Sequence, residues 1–211
     1  MLSRYFTVKK DAYENEIIIQ KSRFIAHIKR AENELEAQEF IQTLKKKYWD
    51  ATHNCSAYLI GENDQNQKAN DDGEPSGTAG VPILEVLKKK KLKDTVVVIT
   101  RYFGGVKLGA GGLIRAYGKA TSEGLDKAGI VERRLVQVIH VKIDYTWLGK
   151  VEKELRESEY IIKEIHYLDT VEVEVYVNED QVSVFNDWVI ELTNGQAGIK
   201  KGETDYLEVL L

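Results

Sequence analysis

The stretch Thr95-Val96-Val97-Val98-Ile99-Thr100-Arg101-Tyr102-Phe103-Gly104-Gly105-Val106-Lys107-Leu108-Gly109-Ala110-Gly111-Gly112-Leu113-Ile114-Arg115 decides how the first part of this sequence folds. Its first six residues are β-branched without a break, the pattern of a strand covered on both faces. Five glycines in nine residues follow, and then helical spacing runs from about Gly111 to Lys127 and stops at Gly129. A strand that passes through a loop into a helix leaves backbone amides unpaired at the helix start, where they carry partial positive charge. Gly104, Gly105, Gly109, Gly111 and Gly112 remove side chains that would shield those amides. Arg101, Lys107 and Arg115 flank them, so the segment is expected to bind a phosphate or a carboxylate. Tight turns alone would explain two or three of the glycines.

The nucleotide fingerprints do not fit this segment. Gly109-Ala110-Gly111 lacks the third glycine of G-x-G-x-x-G, because Ile114 stands there. Gly118-Lys119-Ala120-Thr121 resembles the end of a Walker motif, but Leu113 replaces its first glycine and Ala120 its hydroxyl residue. Neither ATP nor NAD is indicated, and no cofactor is expected.

Upstream, Asp71-Asp72-Gly73-Glu74-Pro75-Ser76-Gly77-Thr78 packs three carboxylates and two hydroxyls into eight residues. They could hold a Mg²⁺ ion, cap the helix that begins near Pro82, or form a solvated turn. Lys68 breaks the EF-hand spacing, and no metal is assigned. The same carboxylates could also occupy the loop amides and arginines from within the protein, which would displace an external anion. The tract from Glu62 to Glu74 has no apolar residue besides Ala69 and is expected to be an exposed loop. His53 and Cys55 are two apart, so a strand would point both to one face, as a thiol and its base require. A cysteine entering an apolar strand is more often a small buried hydrophobe. Lys88 to Lys91 and Lys93 form a basic run, readable either as a helix end or as a nucleic-acid surface.

Further outward, strands are expected near Glu16–Gln20, Arg23–Ile28 and Ser56–Ile60. A helix is expected over Asn33–Tyr48, opened by a capping-box pair, Asn33 and Glu36, and another over Pro82–Leu92. From Leu135 the pattern reads strand, helix (Trp147, Val151, Leu155), strands Ile161–Tyr167 and Val171–Val177, helix Glu179–Leu192 and a last strand. That order is the βαββαβ ferredoxin-like arrangement. The fold class is therefore α+β, with domains at 1–133 and 134–211.

The chain has 211 residues, 43% hydrophobic and 30% charged, which excludes wholesale disorder. No run approaches the length of a membrane-spanning helix, and Met1 to Phe6 lacks the apolar core of a signal peptide. A single cysteine excludes an internal disulfide. The expected setting is cytoplasmic, with no membrane partner. Residues 1–133 carry 22 Lys and Arg against 18 Asp and Glu, whereas residues 134–211 carry 8 against 16. An anionic partner would therefore meet the first half.

Together, Asp72 through Gly80 and Arg101 through Gly109 resemble the IMPACT/YigZ family. The likeness extends through Gly111-Gly112-Leu113 and Ala116-Tyr117-Gly118, and takes in Lys21-Ser22-Arg23-Phe24-Ile25 and His53-Asn54-Cys55-Ser56-Ala57-Tyr58. The resemblance implies a first domain like the second domain of ribosomal protein S5 and the fourth domain of translocation factor G. It implies a second domain like the fifth domain of that factor. Eukaryotic relatives regulate translation by binding a protein activator of a stress kinase, while bacterial relatives have no settled activity. The expected function is a non-enzymatic, translation-associated regulator whose first domain binds RNA, or a ribosome-bound or regulatory protein. In that reading Tyr102 stacks on a base, while Phe103 is expected in the core. The competing expectation is a small peptidase-like hydrolase using His53, Cys55, Asp72, Glu74 and Arg101, although no nucleophile elbow or complete triad is present.

Overall fold

The computed structural model describes residues 1–211 and divides the chain into two units. One is Met1–Arg133 with Val209–Leu211, the other Arg134–Glu208.

The first unit is built on a five-stranded antiparallel sheet in the order β2-β3-β6-β4-β5. Its strands are β2 (Tyr13–Ile19), β3 (Ser22–Arg30), β4 (His53–Ile60), β5 (Asn66–Asn70) and β6 (Thr95–Tyr102), with β1 (Arg4–Val8) preceding them. The β-branched run is β6, and it is central: Thr95 to Arg101 are all buried. Its alternate residues serve two cores. Val97 and Ile99 face one side with Phe24, Ala57, Ile83, Leu113 and Ala120, beneath α2 (Gly80–Lys89) and α3 (Gly109–Ala128). Val96 and Val98 face the other side with Tyr58, Ala37 and Leu44, beneath α1 (Glu34–Lys47). Double coverage makes the strand uniformly apolar although the sheet is antiparallel, where one wet face is the commoner outcome.

Helix α1 starts as the capping pair requires. Asn33 Oδ1 accepts from the Glu36 amide at 3.0 Å, and Glu36 Oε2 accepts from the Glu32 amide at 3.0 Å. Gly129 closes α3 with φ +85°.

One local expectation is corrected at two points. The tract from Glu62 to Glu74 is not simply an exposed loop, because Asn66–Asn70 forms β5, paired from Ser56↔Asn70 to Ile60↔Asn66. Strand β5 is an edge strand whose side chains are mostly exposed, so it needs no apolar face, and β4's backbone groups define it. The tract also ends inside the fold, with Glu74 buried.

The second unit contains the rest of β7 (Ile130–Ile143), which crosses the boundary, then α4 (Tyr145–Glu157), β8 (Ile161–Tyr167), β9 (Val171–Val177), α5 (Val182–Leu192) and β10 (Gly198–Leu210) as far as Glu208. A 3-10 turn, Glu179–Gln181, stands where the helix was expected to begin. The strands pair in the order β10-β7-β9-β8, with β9 antiparallel to both of its neighbours. Ile139, Val141, Val173 and Val175 pack with Val151 and Leu155 of α4 and Phe185 and Val189 of α5.

Candidate functional site

Of the residues singled out by sequence, His53, Glu74, Arg101, Phe103, Lys107 and Gly109 meet around the start of α3. A cavity of about 290 Å³ opens there, lined by Thr52, His53, Glu74, Pro75, Arg101, Phe103, Lys107, Leu108, Gly109, Ala110 and Leu113. Strand β4 supplies His53, β6 supplies Arg101, and the turn ahead of α2 supplies Glu74.

Arg101 does not serve as a free cation at the strand exit. It is buried, and its Nη1 donates to Glu74 Oε1 at 2.5 Å. Its guanidinium carbon lies 5.4 Å from the Phe24 ring centre and 5.6 Å from that of Phe103. The Tyr117 hydroxyl donates to the same Glu74 oxygen at 2.8 Å. The internal pairing that competes with an external anion therefore holds for this arginine. Burial dictates it, because a desolvated guanidinium needs a counter-charge.

The loop amides fare differently. Asp71 turns to the next helix along, where its Oδ1 accepts from the amides of Ala79 (3.0 Å) and Gly80 (2.8 Å) and its Oδ2 from that of Gly77 (2.8 Å). Burial alone would raise its pKa, but these three amide bonds together hold the carboxyl below its ordinary value. Asp72 Oδ1 meets Lys45 Nζ at 2.5 Å, and its Oδ2 accepts from the Asn54 amide at 2.6 Å. Each carboxylate of the acidic tract thus has a partner inside the protein. Thr78 is buried and its hydroxyl donates to the Pro75 carbonyl at 2.6 Å, while Ser76 is exposed. Helix α3 begins with neither a side-chain cap nor an acidic residue in its first turn.

The glycines divide by role. A side chain at Gly104 would stand 2.0 Å from the Lys21 carbonyl oxygen, so its reason is close packing. Gly105 and Gly109 have φ of +84° and +70°, with open space where a Cβ would be. Gly111 and Gly112 lie in the first turn of α3. Lys107 and Arg115 are exposed.

Phe103, expected in the core, is 47% exposed on the cavity wall, and its neighbour Tyr102 is half-buried. Strand β6 ends at Tyr102, so the in-out alternation no longer governs the residue after it. Tyr102 donates to Asp50 at 3.0 Å and carries Arg23 over its ring at 5.1 Å.

His53 and Cys55 enter β4 two apart but form no catalytic couple. The Cys55 thiol donates to the Asp71 carbonyl at 2.9 Å and lies 3.3 Å from the Tyr117 hydroxyl. Burial pushes the thiol up to about 12, which keeps it protonated and a poor nucleophile. The same burial, with Cys55 and Glu74 adjacent, raises the Tyr117 phenol far above its usual value. His53 Nδ1 donates instead to the Asp72 carbonyl at 2.8 Å, and its Nε2 stands 3.7 Å from Glu74 Oε2.

The basic run on and after α2 is partly spent on its own protein. Lys88 meets Glu85 at 3.5 Å, Lys90 meets Asp126 at 2.6 Å and Lys93 meets Asp64 at 2.6 Å. In the second unit, two groups sharing Glu174 bring potential metal-ligand atoms within 4.8 Å of one another: His140 with Glu172, and Glu164 with His166. Lys163 Nζ stands 3.3 Å from Glu174 and competes for the shared carboxylate. Sequence reading missed this face because its residues come from three strands.

Comparison with known proteins now adds to the geometry. Residues 20–125 match the family model described as Impact N-terminal domain, and residues 141–196 match a domain of unknown function, DUF1949. The chain is 66% identical over 208 residues to IMPACT family member YvyE of Bacillus subtilis, covering 99% of this chain and 95% of that protein. It is 30% identical over 179 residues to IMPACT family member YigZ of Escherichia coli, covering 84% and 88%. Protein IMPACT homolog of Dictyostelium discoideum matches at 42% over 94 residues, 43% of this chain and 27% of its own length. A solved structure described only as a hypothetical protein aligns with TM-score 0.61 and 26% identity over 96% of this chain and 99% of that one. By these matches and by the motifs that meet at the cavity, the chain belongs to the IMPACT family.

Proposed function

We propose that this protein is a non-enzymatic, translation-associated binding module whose first unit holds single-stranded RNA at the start of α3. The observation that carries the reading is the uncapped first turn of α3, open to a cavity and flanked by exposed Lys107 and Arg115. Phe103 adds an exposed ring of the kind on which unpaired bases stack. In this reading the backbone from Gly105 to Gly112 seats a phosphate, while Arg101 serves as a positioning residue that holds Glu74 and Phe103. The balance of 22 basic against 18 acidic residues in 1–133 favours an anionic partner there.

The same reading divides the chain into domains at 1–133 and 134–211 and places it in the cytoplasm. It gives the first domain the fold of ribosomal protein S5 domain 2 and the second a ferredoxin-like fold. The β10-β7-β9-β8 order with two helices packed on the sheet supports the latter. A hydrolase is the weaker reading, because Cys55 is buried and protonated.

The test is RNA affinity as a function of salt, read by fluorescence anisotropy. Affinity should fall steeply between low and physiological salt, and Lys107→Ala or Arg115→Ala should each reduce the logarithmic slope by about one. Binding that is flat with salt, or partner capture that survives nuclease, would replace RNA with a protein partner.

A further inference from the structure

We propose that the second unit's sheet, on the face turned away from α4 and α5, binds a divalent transition-metal ion of the zinc class. Its ligands are His140 Nδ1, Glu172 Oε1 and Glu174 Oε1. The inference is independent of the RNA reading, which concerns the first unit.

Strand alternation and register build the cluster. Val171, Val173, Val175 and Val177 of β9 turn inward to the core shared with α4 and α5, so Glu172 and Glu174 stand on the opposite face. His140 of β7 is directly opposite Glu174 in the register, and Glu172 lies two residues along the same face. From the other side, β8 sets Glu164 opposite Glu174 and His166 opposite Glu172. A bulge between Ile162 and Glu164 leaves Lys163 as the extra residue, and its Nζ lies 3.3 Å from Glu174 Oε2. Its competition is confined to that oxygen. Oε1 is left to the imidazoles, with His166 Nε2 at 3.1 Å and His140 Nδ1 at 3.8 Å. Gly202 in β10 makes room for the ring, because a side chain there would collide with His140 Nε2.

The distances suit an ion. Zinc bonds of about 2.0–2.2 Å in a tetrahedron separate neighbouring ligand atoms by roughly 3.3–3.6 Å. His140 Nδ1 stands 2.9 Å from Glu172 Oε1 and 3.8 Å from Glu174 Oε1, one on each side of that range, and the cluster's ligand atoms all lie within 4.8 Å of one another. Hydrogen bonding serves this trio poorly, since Nδ1 has a single hydrogen to offer two carboxylates. A divalent ion meets all three atoms and balances both negative charges, displacing that hydrogen as it binds. The Glu174 side chain is only 14% exposed and that of His140 25%, so the ligands are partly desolvated. His140 and Glu172 also line a cavity of about 330 Å³, with room for water at the fourth position. Lys142 and Lys200 line it too, but both are exposed and their long side chains can keep the ammonium groups in water. Imidazole beside carboxylate selects zinc-class ions over magnesium, which takes oxygen ligands. His166 with Glu164 is the poorer set, because the Glu164 side chain is 62% exposed and His166 is already engaged with Glu174.

The test is titration of the full chain, first stripped of metal by a chelator, with cobalt(II) and then zinc. Zinc is spectroscopically silent, so cobalt reports the coordination. Cobalt should saturate at one ion per chain with the intense visible bands of a tetrahedral site, and zinc should displace it. His140→Ala and Glu172→Gln should each weaken binding by at least about tenfold, with thermal melts to show that both variants fold. Glu164→Gln should leave the affinity within about twofold of the parent. Absence of saturable cobalt binding, or an affinity unchanged in both His140→Ala and Glu172→Gln, would overturn the site. Binding lost in Glu164→Gln and kept in His140→Ala would place the ion on the other set and overturn this one. Displacement of cobalt by an equal concentration of magnesium would overturn the zinc-class assignment.

Discussion

Arg101 and Glu74, 27 residues apart in sequence, meet Nη1 to Oε1 at 2.5 Å with both side chains at most 5% exposed. This pair converts two candidate ligand-binding residues into part of the fold. It joins the central strand to the turn ahead of α2, and Tyr117 ties α3 to the same carboxylate. The cavity wall is therefore assembled from segments that only the pairing brings together.

Removing one partner leaves a buried charge without compensation. Glu74→Leu should destabilise the first unit by about 3–5 kcal/mol, read from urea unfolding. The double variant with Arg101→Met should recover part of that loss, because no lone charge remains. A single variant that costs less than about 1 kcal/mol would show the pair to be solvated.

Asp71 accepts from the amides of Ala79 and Gly80 at the start of α2 and from that of Gly77 in the turn before it, so Asp71→Ala should cost about 1–2 kcal/mol. Its carboxyl is held below the ordinary value in the fold. Its contribution is therefore complete above the unfolded pKa near ~3.9 and is lost as pH falls through the lower folded value. Acid unfolding of the Asp71→Asn variant should lack this component below about pH 4.

His27 gives stability a second, higher pH window. Burial is the main cause that lowers its pKa to about 4, against the opposing pull of Glu14; its Nε2 lies 3.1 Å from the Thr100 hydroxyl. A folded pKa below the unfolded ~6.5 means that the unfolded chain takes up the proton first. Stability should be full above about pH 6.5 and decline by up to about 3 kcal/mol toward pH 4. Replacing His27 by Gln should flatten that segment of the pH–stability curve, and an unchanged slope would count against the assignment.

Cys55 should be silent in the native protein. A thiol pushed up to about 12 and bonded to the Asp71 carbonyl offers little thiolate at pH 8. Its modification by an aromatic disulfide reagent should follow the rate of unfolding and accelerate in urea. Rapid labelling without denaturant would restore the hydrolase reading.

The amino-acid sequence by itself determined what neighbouring residues decide among themselves. The Val96–Ile99 run marked a doubly covered strand, Asn33 with Glu36 marked the start of α1, and Gly129 the end of α3. Each signal lies within a turn or two of the chain and rests on propensity, capping or periodicity. Tertiary structure decided the rest. Strand β5 carries almost no apolar residue and exists because the edge of β4 offers it backbone hydrogen bonds. Phe103 lies just past the end of β6, so alternation misplaced it, and only packing left it on the cavity wall. The carboxylates Asp71, Asp72 and Glu74 look alike in sequence, yet one caps α2, one meets Lys45 and one neutralises Arg101. Their division of labour follows from which donors the fold brings beside each of them, backbone amides for Asp71, an ammonium for Asp72 and a buried guanidinium for Glu74, and that is a property of the folded chain alone.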